Sequence, residues 1–250
     1  MIQLTPRVYL VGSGGLGFNM TNPLDCNVYL VDGGQEMALI DSGAGAGQAV
    51  ERILANVRAT GLPYDRLKYL ILTHGHGDHS GGARGIQEQV PGIKTITSAF
   101  VARTAARGDE RAINLDVARA AGVYPRDYVF HPFAVDRTVS EGDSIAVGDF
   151  ELTTYETPGH CEGHLSFTAD EDGLRYLFSG DHVFFGGRVL IQYINDCNLF
   201  DYGKSMGKFQ DARIDVLLPG HVGAALNDGQ SHIDRALEAF ARLQIPPNLV

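Results

Sequence analysis

Apolar positions fall in short runs along most of the chain, and their spacing switches between strand and helix periods. VYLV at 8–11, NVYLV at 27–31 and ALID at 38–41 are nearly continuous apolar stretches with glycine-rich turns between them, which predicts buried strands. In QAVERILANVRATG the pattern changes: Val50, Ile53, Leu54 and Val57 share one helical face, and Gly61 supplies a stop. LKYLILT at 67–73 returns to a buried-strand pattern, residues 79–90 predict a helix, and KTITS at 94–98 predicts another strand. The segment 99–127 is rich in Ala and Arg and predicts two short helices, at about 101–107 and 112–121.

Strands resume with SIAVGDFELTTYETPG, read as a hairpin running into a loop. HLSFTAD and RYLFSGD form a second hairpin with EDG at its turn. A helix over 202–212, the strand DVLLPGH and a last helix over 232–243 complete the order. Ser231 is placed as the N-cap of that helix, and Ile233, Leu237 and Phe240 as its apolar stripe. Strands, helix, strand, helix, then the same theme again, predict two packed sheets with helices outside, within one domain spanning 1–250. The segment 99–127 has two readings, a surface helical layer or a cap over a cleft. As a cap, its replacement is expected to change substrate preference more than metal affinity. As an apolar layer, it makes a second copy of the chain a candidate partner.

The densest chemistry lies in ILTHGHGDHSGG at 71–82, where His74, His76, Asp78 and His79 follow directly on an apolar strand. Imidazole and carboxylate suit zinc, iron, manganese or cobalt. Alternate residues of a loop leaving a strand point the same way, so His74 and His76 can converge. Gly75 and Gly77 are expected to relieve crowding and to permit unusual backbone angles. Three further candidates end apolar segments and each directly follows a glycine: His160 in TPGHCEGH, Asp181 in LFSGDH and His221 in LLPGH. Seven such side chains suit two metal ions sharing a carboxylate and a hydroxide.

Composition narrows the partners. A formal charge of -10, with 30 acidic residues outnumbering 20 scattered basic ones, gives no footprint for nucleic acid. No apolar stretch reaches the length of a membrane span, and three cysteines, Cys26, Cys161 and Cys197, match no zinc-finger or redox spacing. The expectation is a cytoplasmic protein acting on a small molecule, with no nucleic-acid or membrane partner.

HGHGDH matches the HxHxDH signature, and with LIDSG at 39–43 and TPGHCEGH the chain resembles the metallo-beta-lactamase superfamily from about residue 8 to 225. The resemblance implies an α+β, four-layered αββα sandwich with metals at one edge of the sheets. It implies that His74, His76 and His160 hold one ion, that Asp78, His79 and His221 hold the other, and that Asp181 bridges. Asp41 and His164 are then supports that orient ligating groups. Two divalent ions are implied, with zinc expected and manganese or iron as alternatives. The implied activity is a dinuclear hydrolase in which a bridging hydroxide attacks a carbonyl ester, thioester or lactone, with Asp78 or Asp181 moving a proton. The alternatives are an iron persulfide dioxygenase-like oxidoreductase, a phosphodiesterase, or a non-catalytic metal-binding protein.

The full ligand set resembles glyoxalase II and lactonase-like members more than true beta-lactamases. Phe184 stands where the best-known lactonases carry a tyrosine. No Lys or Arg lies in 73–82 or 158–164, which favours a carbonyl substrate over a phosphodiester unless Arg103, Arg107 or Arg111 folds inward. FFGGRVLIQYINDCNLFDY at 184–202 has two readings, a strand and core loop or a pocket wall built from Phe184, Phe185, Ile191 and Tyr193. Phe18 and Met20 in the early glycine-rich loop are expected to join that wall.

Overall fold

The structure, a computed structural model, describes residues 1–250. The first sheet contains β1 (Ile2–Gln3), β2 (Val8–Gly12), β3 (Val28–Asp32), β4 (Met37–Ile40), β5 (Leu67–Ile71), β6 (Lys94–Thr97) and β7 (Arg137–Thr138), in that spatial order. Its first four strands pair antiparallel, and β4 through β7 pair parallel. The second sheet contains β8 (Ser144–Val147), β9 (Phe150–Glu156), β10 (Leu165–Glu171), β11 (Leu174–Gly180) and β12 (Val216–Pro219), ordered β12-β11-β10-β9-β8. Only its β11–β12 pair is parallel.

The continuous apolar runs follow from burial on both faces of the first sheet. Val8, Leu10, Tyr29, Val31, Ala38 and Ile40 face the second sheet, meeting Phe150, Phe167, Tyr176 and Phe178. Their strand neighbours Tyr9, Val11, Val28, Leu30, Met37 and Leu39 face outward, where α1 (Ala49–Arg58) and α3 (Ala83–Gln89) cover them. The same outer layer holds α4 (Ala99–Arg107) and α5 (Leu115–Ala120), with the short α2 (Gly77–Ser80) at its edge. On the far side, Leu177 and Leu217 of the second sheet pack beneath α6 (Leu199–Met206) and α7 (Gln230–Ala241). The result is an αββα sandwich.

Several boundaries differ from the sequence reading. The helix expected over 79–90 is two helices, because Gly81 and Gly82 separate α2 from α3. Helix α6 starts at Leu199 rather than 202, since the Asn198 side chain accepts from the backbone N–H groups of Phe200 and Asp201 and fixes the start there. Ser231 lies inside α7, whose preceding residue is Gly229, and its hydroxyl donates to the Asp228 carbonyl instead of capping. The run 184–194 forms no strand. No helix is long and apolar enough to cross a membrane.

Candidate metal centre

The sheets are stapled together at one end, and the ligand-bearing loops leave from there. Leu165 N–H donates to Thr73 O at 2.7 Å, tying the exit of β5 to the start of β10. The Asn27 amide donates to Pro219 O and Val222 O, and Tyr29 Oη donates to Pro219 O at 2.7 Å, holding the loop after β12 against the first sheet. A Cβ at Gly220 would collide with Asp181 Oδ1 and the His79 ring, so only glycine lets His221 approach from this loop.

All seven candidate ligands converge at this edge. His160 Nε2 lies 3.0 Å from His76 Nδ1, and His79 Nε2 lies 3.4 Å from His221 Nε2. Asp181 carboxylate oxygens lie 3.3 Å from His79 Nε2, 3.4 Å from His221 Nε2 and 3.6 Å from His160 Nε2. Asp78 Oδ2 is 3.1 Å from His221 Nε2. Atoms bound tetrahedrally to one zinc at about 2.0–2.1 Å sit roughly 3.3 Å apart, so these separations suit ligands of shared cations.

The hydrogen bonding behind the ligands points the same way. His160 Nδ1 faces Leu190 O at 2.9 Å, and His79 Nδ1 faces Asp41 Oδ2 at 2.8 Å, which turns both Nε2 lone pairs inward. His74 sets Nδ1 against Thr73 Oγ1 and leaves Nε2 buried without a partner; Asp181 Oδ1 is likewise buried without a hydrogen bond, with His79 Nε2 at 3.3 Å. Opposed lone pairs and orphaned buried acceptors are costly unless a cation lies among them. The residues present therefore fit divalent ions.

Electrostatics divide the cluster. Burial holds His74, His76 and His160 below the ordinary imidazole range, His160 at about 4, so these rings are neutral. Burial also pulls on His221 and His79, but nearby acidic groups outweigh it. Asp181 and Asp78 raise His221 to about 9, and His79 is raised well above its usual value by the neighbouring Cys26 first, then by Asp181, Asp78 and Asp41. Burial pushes Asp78 and Asp181 upward, and the facing His79 and His221 more than reverse it, leaving both carboxylates ionised.

Asp41 sits at φ 64° and spreads its carboxylate over His79 Nδ1, Thr73 N–H and Thr73 Oγ1. His164 accepts from Asp181 N–H at 3.0 Å and meets Thr157 Oγ1 at 2.8 Å. Gly75 and Gly77 relieve crowding but do not adopt left-handed angles. Cys161 is buried beside His74, His76 and His160, and burial drives its thiol well up.

Over the cluster opens a cavity of about 600 Å³. His76, Asp78, His160, Asp181 and His221 reach it, and Ile113, Leu115, Val117, Ala118, Ala121, Val123 and Tyr124 wall one side. Leu16, Leu190, Tyr193 and Ile194 contribute elsewhere, and no Lys or Arg lines it. Of the aromatic and aliphatic residues expected to form the wall, Tyr193 alone does so. Phe184 is fully buried behind His221, its ring 6.2 Å from the imidazole. Phe185 packs at a tilt against His232, ring centroids 4.4 Å apart, Ile191 packs toward α6 and α7, and Met20 packs against the inter-sheet core. Phe18 is exposed outside the cavity; its loop contributes Leu16 instead. Tyr124, unassigned by the sequence reading, touches Asp78 directly.

The sequence profile of the metallo-beta-lactamase superfamily matches residues 21–221. The chain belongs to that superfamily. A metallo-beta-lactamase family protein from Thermus thermophilus superposes with a TM-score of 0.70 at 25% identity, over 96% of this chain and 82% of that one. Among curated superfamily relatives, acyl-coenzyme A thioesterase MBLAC2 of Gallus gallus is 31% identical, over 78% of this chain and 72% of that protein. Atrochrysone carboxyl ACP thioesterase of Aspergillus chevalieri is 26% identical, over 90% of this chain and 59% of that protein. The chain spans 59–60% of the length of several curated superfamily relatives it matches. A superfamily fold carrying these ligand clusters is the framework of a metal-dependent hydrolase.

Proposed function

We propose that the chain hydrolyses acyl thioesters at a dinuclear centre, with zinc the expected metal. The observation that carries this reading is the cavity: an apolar trough without a Lys or Arg, directly above paired ligand clusters. His74, His76 and His160 would hold one ion, Asp78, His79 and His221 the other, with Asp181 between them. Bound there, the ions supply Lewis acidity and a water activated at neutral pH.

The chain's own residues account for the rest. Asp41 and the Leu190 carbonyl orient His79 and His160. Val117, Ala118 and Val123 offer an apolar surface to an acyl chain and no counter-charge to a phosphodiester. Leaving-group chemistry favours a thioester over an alkyl ester. Every histidine lining the cavity is an assigned ligand, and the Tyr124 proton is given to Asp78, so no free acid faces the leaving group. A thiol, ionising at about 8.5, leaves as the anion without one. Both thioesterase relatives act, by name, on carriers of this linkage.

The test is a panel on metal-replete protein: an acyl thioester, p-nitrophenyl acetate, a gamma-lactone and bis-p-nitrophenyl phosphate. The thioester should have the highest kcat/KM. Preference for the phosphate diester, lost when Arg103, Arg107 and Arg111 are neutralised, would reverse the assignment.

A further inference from the structure

The segment that walls the cavity also grips the ligand loop. Tyr124 follows α5, and its hydroxyl makes a closed pair of hydrogen bonds with one residue. It accepts from the Asp78 N–H at 2.8 Å and donates to Asp78 Oδ1 at 2.8 Å. Tyr124 is the sole hydrogen-bond partner of that oxygen. The other oxygen, Oδ2, faces His221 Nε2 at 3.1 Å and His79 Nε2 at 3.6 Å. A carboxylate turns easily about its last torsion, and fixing one oxygen fixes the other. Nearby, Tyr128 Oη donates to backbone carbonyls only, Ala44 O at 2.7 Å and Gly77 O at 3.1 Å. A Cβ on Gly77 would stand 3.2 Å from both hydroxyls, and one on Gly81 would collide with that of Tyr128. The glycines of the ligand motif thus make room for the two tyrosines.

We propose that Tyr124 is a positioning residue for the second metal ion, holding Asp78 Oδ2 toward His79 and His221, so that the cavity wall is also part of the metal centre. This deepens the dinuclear reading and rests on it. It also departs from the expectation that replacing 99–127 alters substrate preference more than metal affinity, because Tyr124 lies within that segment.

The experiment titrates metal-free chain with Co(II), following its absorption spectrum, for wild type, Tyr124→Phe, Tyr128→Phe and Val117→Ser, with circular dichroism as the check on folding. The expected result is two binding steps in wild type and a second step weakened about 10–100-fold in Tyr124→Phe, with the first step unchanged. Tyr128→Phe lowers the thermal midpoint but keeps both steps, and Val117→Ser keeps both. Should Tyr124→Phe fail to fold, Tyr124→Met, also without a hydroxyl and adaptable enough to fill the space, is read the same way. Wild-type affinity for the second ion in the tyrosine-124 variant overturns the proposal, as does equal weakening by Tyr128→Phe, which marks loop packing as the cause. A single step in wild type overturns the dinuclear reading itself and is a separate outcome.

Discussion

The two halves of the ligand cluster are built differently. His74, His76 and His160 form an all-imidazole half, backed by the Thr73 hydroxyl and the Leu190 carbonyl and kept neutral by burial. Asp78, His79 and His221 form a carboxylate-rich half, backed by Asp41 and Tyr124, in which neighbouring acidic groups favour the protonated form of both histidines in the metal-free chain. An ion entering the first half meets free lone pairs. One entering the second must displace protons and relies on the hydrogen bonds of Asp41 and Tyr124. Two ions bound to one continuous cluster are thereby expected to differ in affinity, in pH dependence and in sensitivity to residues outside the ligand set.

The largest effect comes from removing a ligand of the neutral half. His76→Ala is expected to lower thioester turnover by about 10²–10³-fold or more while the circular dichroism spectrum stays unchanged, because His76 lies outside the apolar core. Turnover at the wild-type level with one ion missing would break the assignment of that half.

The pH dependence separates the halves next. Proton and ion compete for the same lone pair on His221, which titrates at about 9. Raising pH toward that value frees it, and His79 must lose a proton as well, so second-ion affinity should rise by about a hundredfold per pH unit from neutral up to about 9 and more gently above it, where His79 alone still holds its proton. The first half, with His160 at about 4, should be flat over that range. Isothermal titration at stepped pH reads both, and parallel slopes would erase the distinction.

Asp41→Asn tests the charged support. Asparagine tolerates the left-handed backbone at this position, so the fold should persist. Second-ion affinity should fall about 10–100-fold, with a smaller loss at the first ion, whose His74 is backed by the Thr73 hydroxyl that Asp41 also holds. A smaller effect is expected at the cavity wall: Val117→Asp should raise KM for a long-chain acyl thioester about tenfold and leave an acetyl thioester nearly unchanged, as steady-state kinetics would show.

The sequence disclosed the ligand half of this picture better than the supporting half. His74, His160, Asp181 and His221 are legible because each ends an apolar strand or loop beside glycine, and the packing of strands brings such ends to one edge. Phe184 misled because an apolar residue beside a ligand reads equally as wall or as core, and the chain buries it behind His221. Tyr124 carried no periodic signal. It stands in AGVYPRDYVF, outside any helix or strand, and it meets Asp78 across 46 positions through a hydroxyl that spacing does not reveal. Its one trace was an aromatic residue in an Ala- and Arg-rich segment. The Asn198 cap likewise fixed a helix start that apolar spacing alone placed too late.

The central claim is that two ions together make a thioester hydrolase. The most direct measurement adds zinc stepwise to metal-free chain while recording bound metal per chain and turnover of an acyl thioester. The account predicts two ions per chain, with turnover rising chiefly as the second half fills. Full turnover with one ion bound, or a native protein holding one iron that consumes oxygen and leaves the thioester intact, would contradict it.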